Sequence, residues 1–148
     1  MARVALLDVN VLVALFDPDH VHHDLAHDWF ADHRRHGWAT CAMTESGFVR
    51  VISNPTYRPD AIRPAAAVDQ LRKFCASGHH HYWGAAPSLR DAAVFALGAA
   101  RGHAQVTDVC LLGLTRTMKG TLATFDRAIP ISAVKGATAE HLSVIAAV

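Results

Sequence analysis

Short apolar runs alternate along the chain with longer stretches in which apolar residues recur every three or four positions. The short runs predict buried strands, and the longer stretches predict amphipathic helices. Strands are predicted over 4–7, 38–41, 80–83 and 121–124, with one or both of 129–134 and 142–146 as further short strands. Helices are predicted over 9–16, 21–35, 44–54, 64–78, 87–100 and 108–118.

Several residues at the ends of these stretches are typical of helix boundaries. Gly37 is placed to end the second helix, and Pro64 is placed as the first residue of the fourth. Thr44 and Thr107 are predicted to cap the helices that follow them. Strands that alternate with helices favour parallel pairing through right-handed crossovers. We therefore expect residues 1–148 to form a single domain, a three-layer α/β/α sandwich around a parallel sheet of four to five strands.

Composition limits the class of protein. Hydrophobic residues make up 51% of the 148 positions, which is ample for a core, and the net charge is only +1. Cys41, Cys75 and Cys110 are widely spaced and odd in number, which favours reduced thiols in a cytoplasmic protein. Asp8 and Asn10 interrupt the apolar opening, so it does not read as a secretory signal, and we expect no membrane association.

Acidic residues recur where predicted strands end or helices begin. Asp8 and Asp126 follow the strands 4–7 and 121–124, Glu45 lies in the first turn of the helix after the second strand, and Asp108 opens a helix. Ligands of open α/β sheets bind at the carboxyl ends of the strands, so all four acids can face one edge. Taken alone, each acid is more simply explained as a helix cap or a surface residue.

The four acids together are harder to explain as caps. Asp8 ends a buried strand, where a carboxylate loses its hydration, and neighbouring carboxylates repel one another unless a cation joins them. Oxygen ligands without arranged cysteine or histidine favour Mg²⁺ or Mn²⁺ over zinc. Such ions suit phosphodiester hydrolysis, because they activate water and neutralise charge on phosphate.

Four segments of the sequence match a known family: "LLDVNVLVALFD", "TCAMTESGFVRVISNP", "VTDVCLLGLTRTMKG" and "LATFDRAI". They resemble the PIN-domain ribonucleases, in particular the VapC toxins of bacterial toxin–antitoxin pairs, over nearly the whole chain. Many PIN domains place their third acid earlier along the chain, near the region of Asp91 here. The "VTDVCLLGL" match favours Asp108 for that role, and Asp91 is assigned to a helix surface.

The resemblance implies a Mg²⁺- or Mn²⁺-dependent endoribonuclease that is dimeric and is inhibited by a cognate antitoxin. Matched position by position, it implies that the metal-binding and catalytic acids are Asp8, Glu45, Asp108 and Asp126, with Asn10 and Thr107 as supporting polar residues. Basic residues near these acids in sequence are hypothesised to hold RNA phosphates, and ordinary surface charge explains them about as well; they are Arg50, Arg116, Lys119 and Arg127.

The chain has 11 histidines, and His23 and His27 have the i, i+4 spacing of a zinc pair. No third ligand is placed by the spacing, and the consecutive histidines 79–81 would point to alternate sides of a strand. A solvated helix face without a structural zinc site is therefore favoured. The apolar residues of helices 9–16 and 108–118 are expected mainly in the core, with part of them at a homodimer seam.

Two other functions remain open at this stage. A phosphohydrolase acting on small phosphate esters would need an aspartate nucleophile and a phosphate-gripping loop, and no D-x-D-x-T/V pattern follows the first strand. A non-catalytic PIN-fold module that binds RNA or protein would be free to lose at least one acid, whereas all four are present. Metal-dependent RNA hydrolysis is therefore the leading prediction.

Overall fold

The computed structural model describes residues 2–147. Its five strands are β1 (Ala5–Leu7), β2 (Trp38–Thr40), β3 (His80–Tyr82), β4 (Thr121–Thr124) and β5 (Leu142–Val144). Its five α-helices are α1 (Val9–Phe16), α2 (His23–His33), α3 (Ala42–Ile52), α4 (Pro64–Cys75) and α5 (Val106–Thr117). Single 3₁₀ turns lie at Arg34–His36, Leu97–Ala99, His103–Gln105, Ile131–Ala133 and Ala139–His141.

The strands form one parallel sheet in the order β3-β2-β1-β4-β5. Ala5 of the central strand β1 is in register with Trp38 of β2 and with Thr121 of β4. The sheet order reverses direction at β1, since the chain builds outward to β3 on one side and to β5 on the other. The predicted parallel sheet is confirmed, and β1 lies where loops from both halves meet.

Alternate strand residues face two separate hydrophobic cores. Leu7 and Trp38 contribute to the core beneath α1–α4, while Leu6, Ala39 and Leu122 face the core beneath α5. This alternation follows from the two-residue period of a strand. The two cores on opposite faces confirm the predicted three-layer arrangement of helices, sheet and helices.

The predicted helix over 87–100 is wrong. This segment forms turns and a single 3₁₀ turn, and Phe95 makes an isolated antiparallel bridge with Val134. The N–H of Ala96 donates to the carbonyl of Ala133 at 2.8 Å and the N–H of Lys135 donates to that of Val94, while hydrogen bonds within the segment close only single turns. Burial of Phe95 against Gly113 of α5 decides the outcome over the helix propensity of alanine. Asp91 is exposed as predicted, but it lies in this loop and not on a helix.

Two predicted caps are also displaced. α3 begins at Ala42, and Thr44 is its third residue; the Thr44 hydroxyl accepts from the N–H of Cys41 at 2.9 Å. α5 begins at Val106, so Thr107 lies inside the helix and does not cap it. Gly37 ends the 3₁₀ extension of α2 with a φ of 96°, a conformation that favours glycine. No helix among residues 2–147 is both long and apolar enough to span a bilayer.

Candidate active site

Asp8 is the buried centre of the candidate site. It follows β1 and caps α1, with its Oδ1 accepting from the N–H of Val9 at 2.8 Å. Its Oδ2 accepts from the Thr124 hydroxyl at 2.8 Å, and only 8% of Asp8 is exposed. Burial raises the pKa of Asp8; the two hydrogen bonds oppose this effect and the charge of Asp126 adds to it. The carboxylate is therefore fixed in orientation but is costly to ionise without a cation.

Thr124 joins Asp8 to the end of β4. Its fully buried hydroxyl donates to Asp8 and accepts from the N–H of Asp126 at 3.1 Å. The Asp126 carboxylate, in turn, accepts from the N–H of Ala128 at 2.7 Å, which fixes the turn that follows the strand. One threonine side chain thus positions both aspartates.

Asp108 completes a group with Asp8 and Asp126, which we call the aspartate cluster. It lies in the first turn of α5, where the partial positive charge of the helix N-terminus favours a carboxylate. Burial nevertheless raises the pKa of Asp108 to about 6, with the charges of Asp8 and Asp126 as further causes. Three aspartates from three separate elements therefore share one electrostatic environment.

Glu45 has different immediate neighbours. It lies in the first turn of α3, and its Oε2 accepts from the Thr40 hydroxyl at 2.7 Å. That hydroxyl also lies 2.8 Å from Nε2 of His80, and the same nitrogen is 3.5 Å from Sγ of Cys75. We call Glu45, Cys75 and His80 the Glu45 cluster. Burial and the charge of Glu45 raise the pKa of Cys75 to about 11.

Sequence reasoning missed Cys75 and His80 as neighbours of a predicted site residue. They are five residues apart, at the end of α4 and the start of β3, and Gly78 and His79 between them have positive φ angles that turn the chain back. Sequence spacing gave no signal for this contact, because the turn at 76–79 precedes β3 whereas the turn from Thr40 to Glu45 follows β2. His23 and His27, by contrast, place ring nitrogens 2.7 Å from the α1 carbonyls of Ala14 and Leu15, so they fasten α2 to α1 and do not form the purely solvated face that was predicted.

A cleft of about 490 Å³ opens beside Asp8. Ser46 and Arg50, one turn apart on α3, line it together with Thr107 of α5. Thr107 and Asn10, the predicted supporting polar residues, are both exposed in first helical turns next to the aspartates. The cleft thus combines an acidic end with a hydroxyl and a guanidinium.

The predicted phosphate-binding arginines are in different places. Arg127 is exposed immediately after Asp126. Arg116 lies eight residues after Asp108 on α5, which corresponds to about 12 Å along the helix axis. It lines a cavity of about 970 Å³ with Arg3 and Thr121, at the opposite end of the strands. The structure therefore does not bring Arg116 to the aspartate cluster, because a helix separates its two ends.

The chain has counterparts among known proteins. Residues 5–135 match the family model described as "PIN domain". The chain is 44% identical to Ribonuclease VapC44 of Mycobacterium tuberculosis over 95% of this chain and 99% of that protein. It is 40% identical to Ribonuclease VapC39 of the same organism over 89% of this chain and 95% of that protein, and 44% identical to Ribonuclease VapC38 over 85% and 87%. The chain belongs to the PIN-domain family and, within it, to the VapC family.

Proposed function

We propose that this protein is a Mg²⁺- or Mn²⁺-dependent endoribonuclease, the toxin of a toxin–antitoxin pair. The observation that carries the proposal is the aspartate cluster: a buried Asp8 whose carboxylate is oriented by Thr124 and surrounded by two further aspartates. The full-length similarity to proteins named ribonucleases supports RNA as the substrate. Glu45 is the fourth member of the proposed acidic set. Its side chain must turn away from Thr40 to join the three aspartates.

The donor set fits a hard divalent cation. The carboxylates of Asp8 and Asp108 have raised pKa values because burial and mutual repulsion penalise their charged forms, and a cation removes both penalties. Among residues 2–147, the carboxylate oxygens of the three aspartates do not all lie within 4.8 Å of one another. Mg²⁺ does not need such a close group, because it keeps several waters and binds few carboxylates directly. When bound, the ion supplies an activated water and charge neutralisation on the phosphate.

The chain's own residues have separable roles in this proposal. Asp8, Asp108 and Asp126, with Glu45 as the fourth acid, hold the cation, and Thr124 keeps Asp8 in place through a hydrogen bond of 2.8 Å. Arg50 and Thr107 in the cleft beside Asp8, together with the exposed Arg127, bind phosphates of the RNA. Arg116 is the natural comparison, since it lies at the other end of α5.

Membership of the VapC family supports three further parts of the proposal. A cognate antitoxin inhibits the nuclease by binding over the acidic cleft, the toxin is a homodimer, and RNA cleavage takes place in the cytoplasm. Part of the expected dimer seam is already core, since Leu12, Leu111 and Leu114 are fully buried, whereas Met118 is 41% exposed. A dimer surface must therefore use residues outside the two cores.

The test is cleavage of total cellular RNA by the purified protein with Mg²⁺ or Mn²⁺. Discrete fragments are expected, and they should vanish with a chelator and in an Asp8→Asn variant. Arg50→Ala and Arg127→Ala should weaken RNA binding, while Arg116→Ala should leave it unchanged. Cutting that persists in chelator and in Asp8→Asn would overturn the nuclease assignment. Absence of cutting after removal of any bound antitoxin, with RNA or protein binding intact, would favour a non-catalytic PIN-fold module.

A further inference from the structure

A second group of metal-ligating side chains lies beside the proposed active site. Glu45 of α3, Cys75 of α4 and His80 of β3 each offer one ligand atom, and these atoms all lie within 4.8 Å of one another. We propose that the Glu45 cluster is a binding site for a transition-metal ion of the zinc class. The proposed RNA hydrolysis uses Glu45 alone of these residues, so this site is additional to it.

The donor types select the class of ion. A thiolate, an imidazole and a carboxylate together are the ligands of Zn²⁺ and Co²⁺, whereas Mg²⁺ prefers oxygen alone. Three protein ligands leave a fourth position for water or another ligand. All three side chains are partly buried, so the site is shielded but still reachable from solvent.

The distance between the sulfur and nitrogen ligands matches tetrahedral coordination. Zinc–sulfur and zinc–nitrogen bonds of about 2.3 and 2.05 Å at a tetrahedral angle place sulfur and nitrogen about 3.6 Å apart. Sγ of Cys75 and Nε2 of His80 are 3.5 Å apart. The Glu45 carboxylate lies within the same 4.8 Å group, which leaves it close enough to complete the coordination after a small side-chain adjustment.

Two neighbours orient the ligands. The Thr40 hydroxyl, which is fully buried, donates to Oε2 of Glu45 at 2.7 Å, the kind of outer contact that fixes a ligating carboxylate. The ring of Trp38 packs on that of His80 with centroids 4.6 Å apart. Without metal, Nε2–H of His80 donates to Thr40 Oγ1 at 2.8 Å. Metal binding moves that proton to Nδ1 and releases the thiol proton of Cys75 to solvent, so binding liberates one proton.

The site has a regulatory consequence that rests on the proposed function. A Glu45 carboxylate bound to zinc beside Cys75 is withheld from the aspartate cluster. Zinc is therefore expected to inhibit RNA cleavage, and this inhibition should require Cys75. If zinc bound at the Glu45 cluster but did not inhibit RNA cleavage, this regulation would be refuted and the metal site would stand.

The test is titration of the metal-free, full-length protein with Co²⁺, followed by absorption. A thiolate-to-cobalt charge-transfer band should appear and saturate when one equivalent of Co²⁺ is bound at the Glu45 cluster, and Zn²⁺ should displace it. Cys75→Ser should abolish the band, and His80→Asn should weaken Co²⁺ binding at least about tenfold. Cys110→Ser and His27→Asn are the matched controls and should keep both the band and the affinity. Circular dichroism and thermal melts of each variant show that its fold is retained.

Two results of the cobalt titration would overturn the proposed metal site. Co²⁺ that binds without a thiolate band would be an adventitious ion only or an ion at the aspartate cluster, and a band that survives Cys75→Ser would come from another cysteine. Either result would overturn the proposal. Asp8→Asn should lose RNA cleavage but keep the cobalt band, which separates the two proposals. A cobalt band in a protein that never cuts RNA would support the metal site and refute the nuclease.

Discussion

The aspartate cluster and the Glu45 cluster occupy neighbouring parts of one sheet and satisfy their charges in opposite ways. In the aspartate cluster, like charges face one another and burial raises the pKa of Asp108 to about 6. In the Glu45 cluster, a chain of hydrogen bonds runs from His80 through Thr40 to the carboxylate. The first group is incomplete without a cation, whereas the second is already internally bonded.

This difference shows why the two groups suit different ions. Repelling carboxylates gain most from a hard, hydrated cation that neutralises them across water. A carboxylate with a thiol and an imidazole already at contact distance gains from an ion that forms short bonds to sulfur and nitrogen. Glu45 belongs chemically to both groups, so its direction decides which of them is complete.

The largest expected effect separates the two clusters by RNA cleavage. In zinc-free buffer with Mg²⁺, Asp8→Asn should lower the rate at least about 100-fold, since a lost ligand removes several kcal/mol of transition-state stabilisation. Cys75→Ser should cleave at the wild-type rate under the same conditions. The separation of the two clusters would be contradicted if the single-turnover cleavage rate of Cys75→Ser fell as far as that of Asp8→Asn.

The next effect concerns the packing that holds the two clusters together. A Cβ on Gly47 would lie 2.5 Å from Cγ2 of Val9, the residue after Asp8, so Gly47→Ala must displace either the Val9 side chain or α3 relative to α1. We expect a loss of about 1–3 kcal/mol in the free energy of unfolding, measured by urea titration. Gly98→Ala is the matched control, because nothing lies within 4 Å of the added carbon. Equal stability of the two variants would contradict close α1–α3 packing.

A smaller effect is expected from the hydroxyl that orients Asp8. Thr124→Val keeps the shape of the buried side chain but removes its hydrogen bonds to Asp8 and Asp126. Cleavage and Mg²⁺ affinity should fall by about tenfold, as for other residues that orient a ligand. Thr124→Ser restores the hydroxyl and should recover most of the activity. If valine and serine behaved alike, the hydroxyl would have no orienting role.

The smallest effect is a pH dependence of the metal-free protein. Because the pKa of Asp108 is raised from 3.8 to about 6, the folded state holds more protons than the unfolded state in this window. The contribution of Asp108 to the free energy of unfolding is therefore present at low pH and falls as the pH rises from about 4 to 6. The change is on the order of 1 kcal/mol at this partly exposed position. Urea titrations in chelator at pH 5 and 7 measure it as the difference between the wild type and Asp108→Asn, in which the contribution of Asp108 is absent.

A control of opposite sign comes from Asp60. A hydrogen bond from Arg58, together with its charge, lowers the pKa of Asp60 below 3.8. Stability from this pair is lost as the pH falls through that lowered pKa, so Asp60→Asn should not flatten the change between pH 5 and 7.

Added Mg²⁺ should raise stability at pH 7 in the wild type and less in Asp108→Asn. A wild type that is more stable at pH 7 than Asp108→Asn without metal would contradict the repulsion argument.

The sequence predicted those parts of the fold that depend on local pattern. β1 ends before Asp8, α4 begins at Pro64, and β4 spans Thr121–Thr124, because apolar runs, proline and strand-ending polar residues act over a few positions. The segment 87–100 was predicted as a helix because alanine favours one. Its Phe95 instead fills the space over Gly113, a contact between distant parts of the chain that local propensity does not contain.

For the site, the residue types and their order along the chain determined that acids would meet at the carboxyl ends of the strands. Alternation of strands and helices is enough for that, since parallel strands share one carboxyl edge. Only the tertiary structure decided that three aspartates interact electrostatically while Glu45 faces Cys75 and His80. The physical reason is that the partners of Glu45 depend on how α3 packs against α4 and on where β3 begins, which the position of Glu45 in its own helix does not specify.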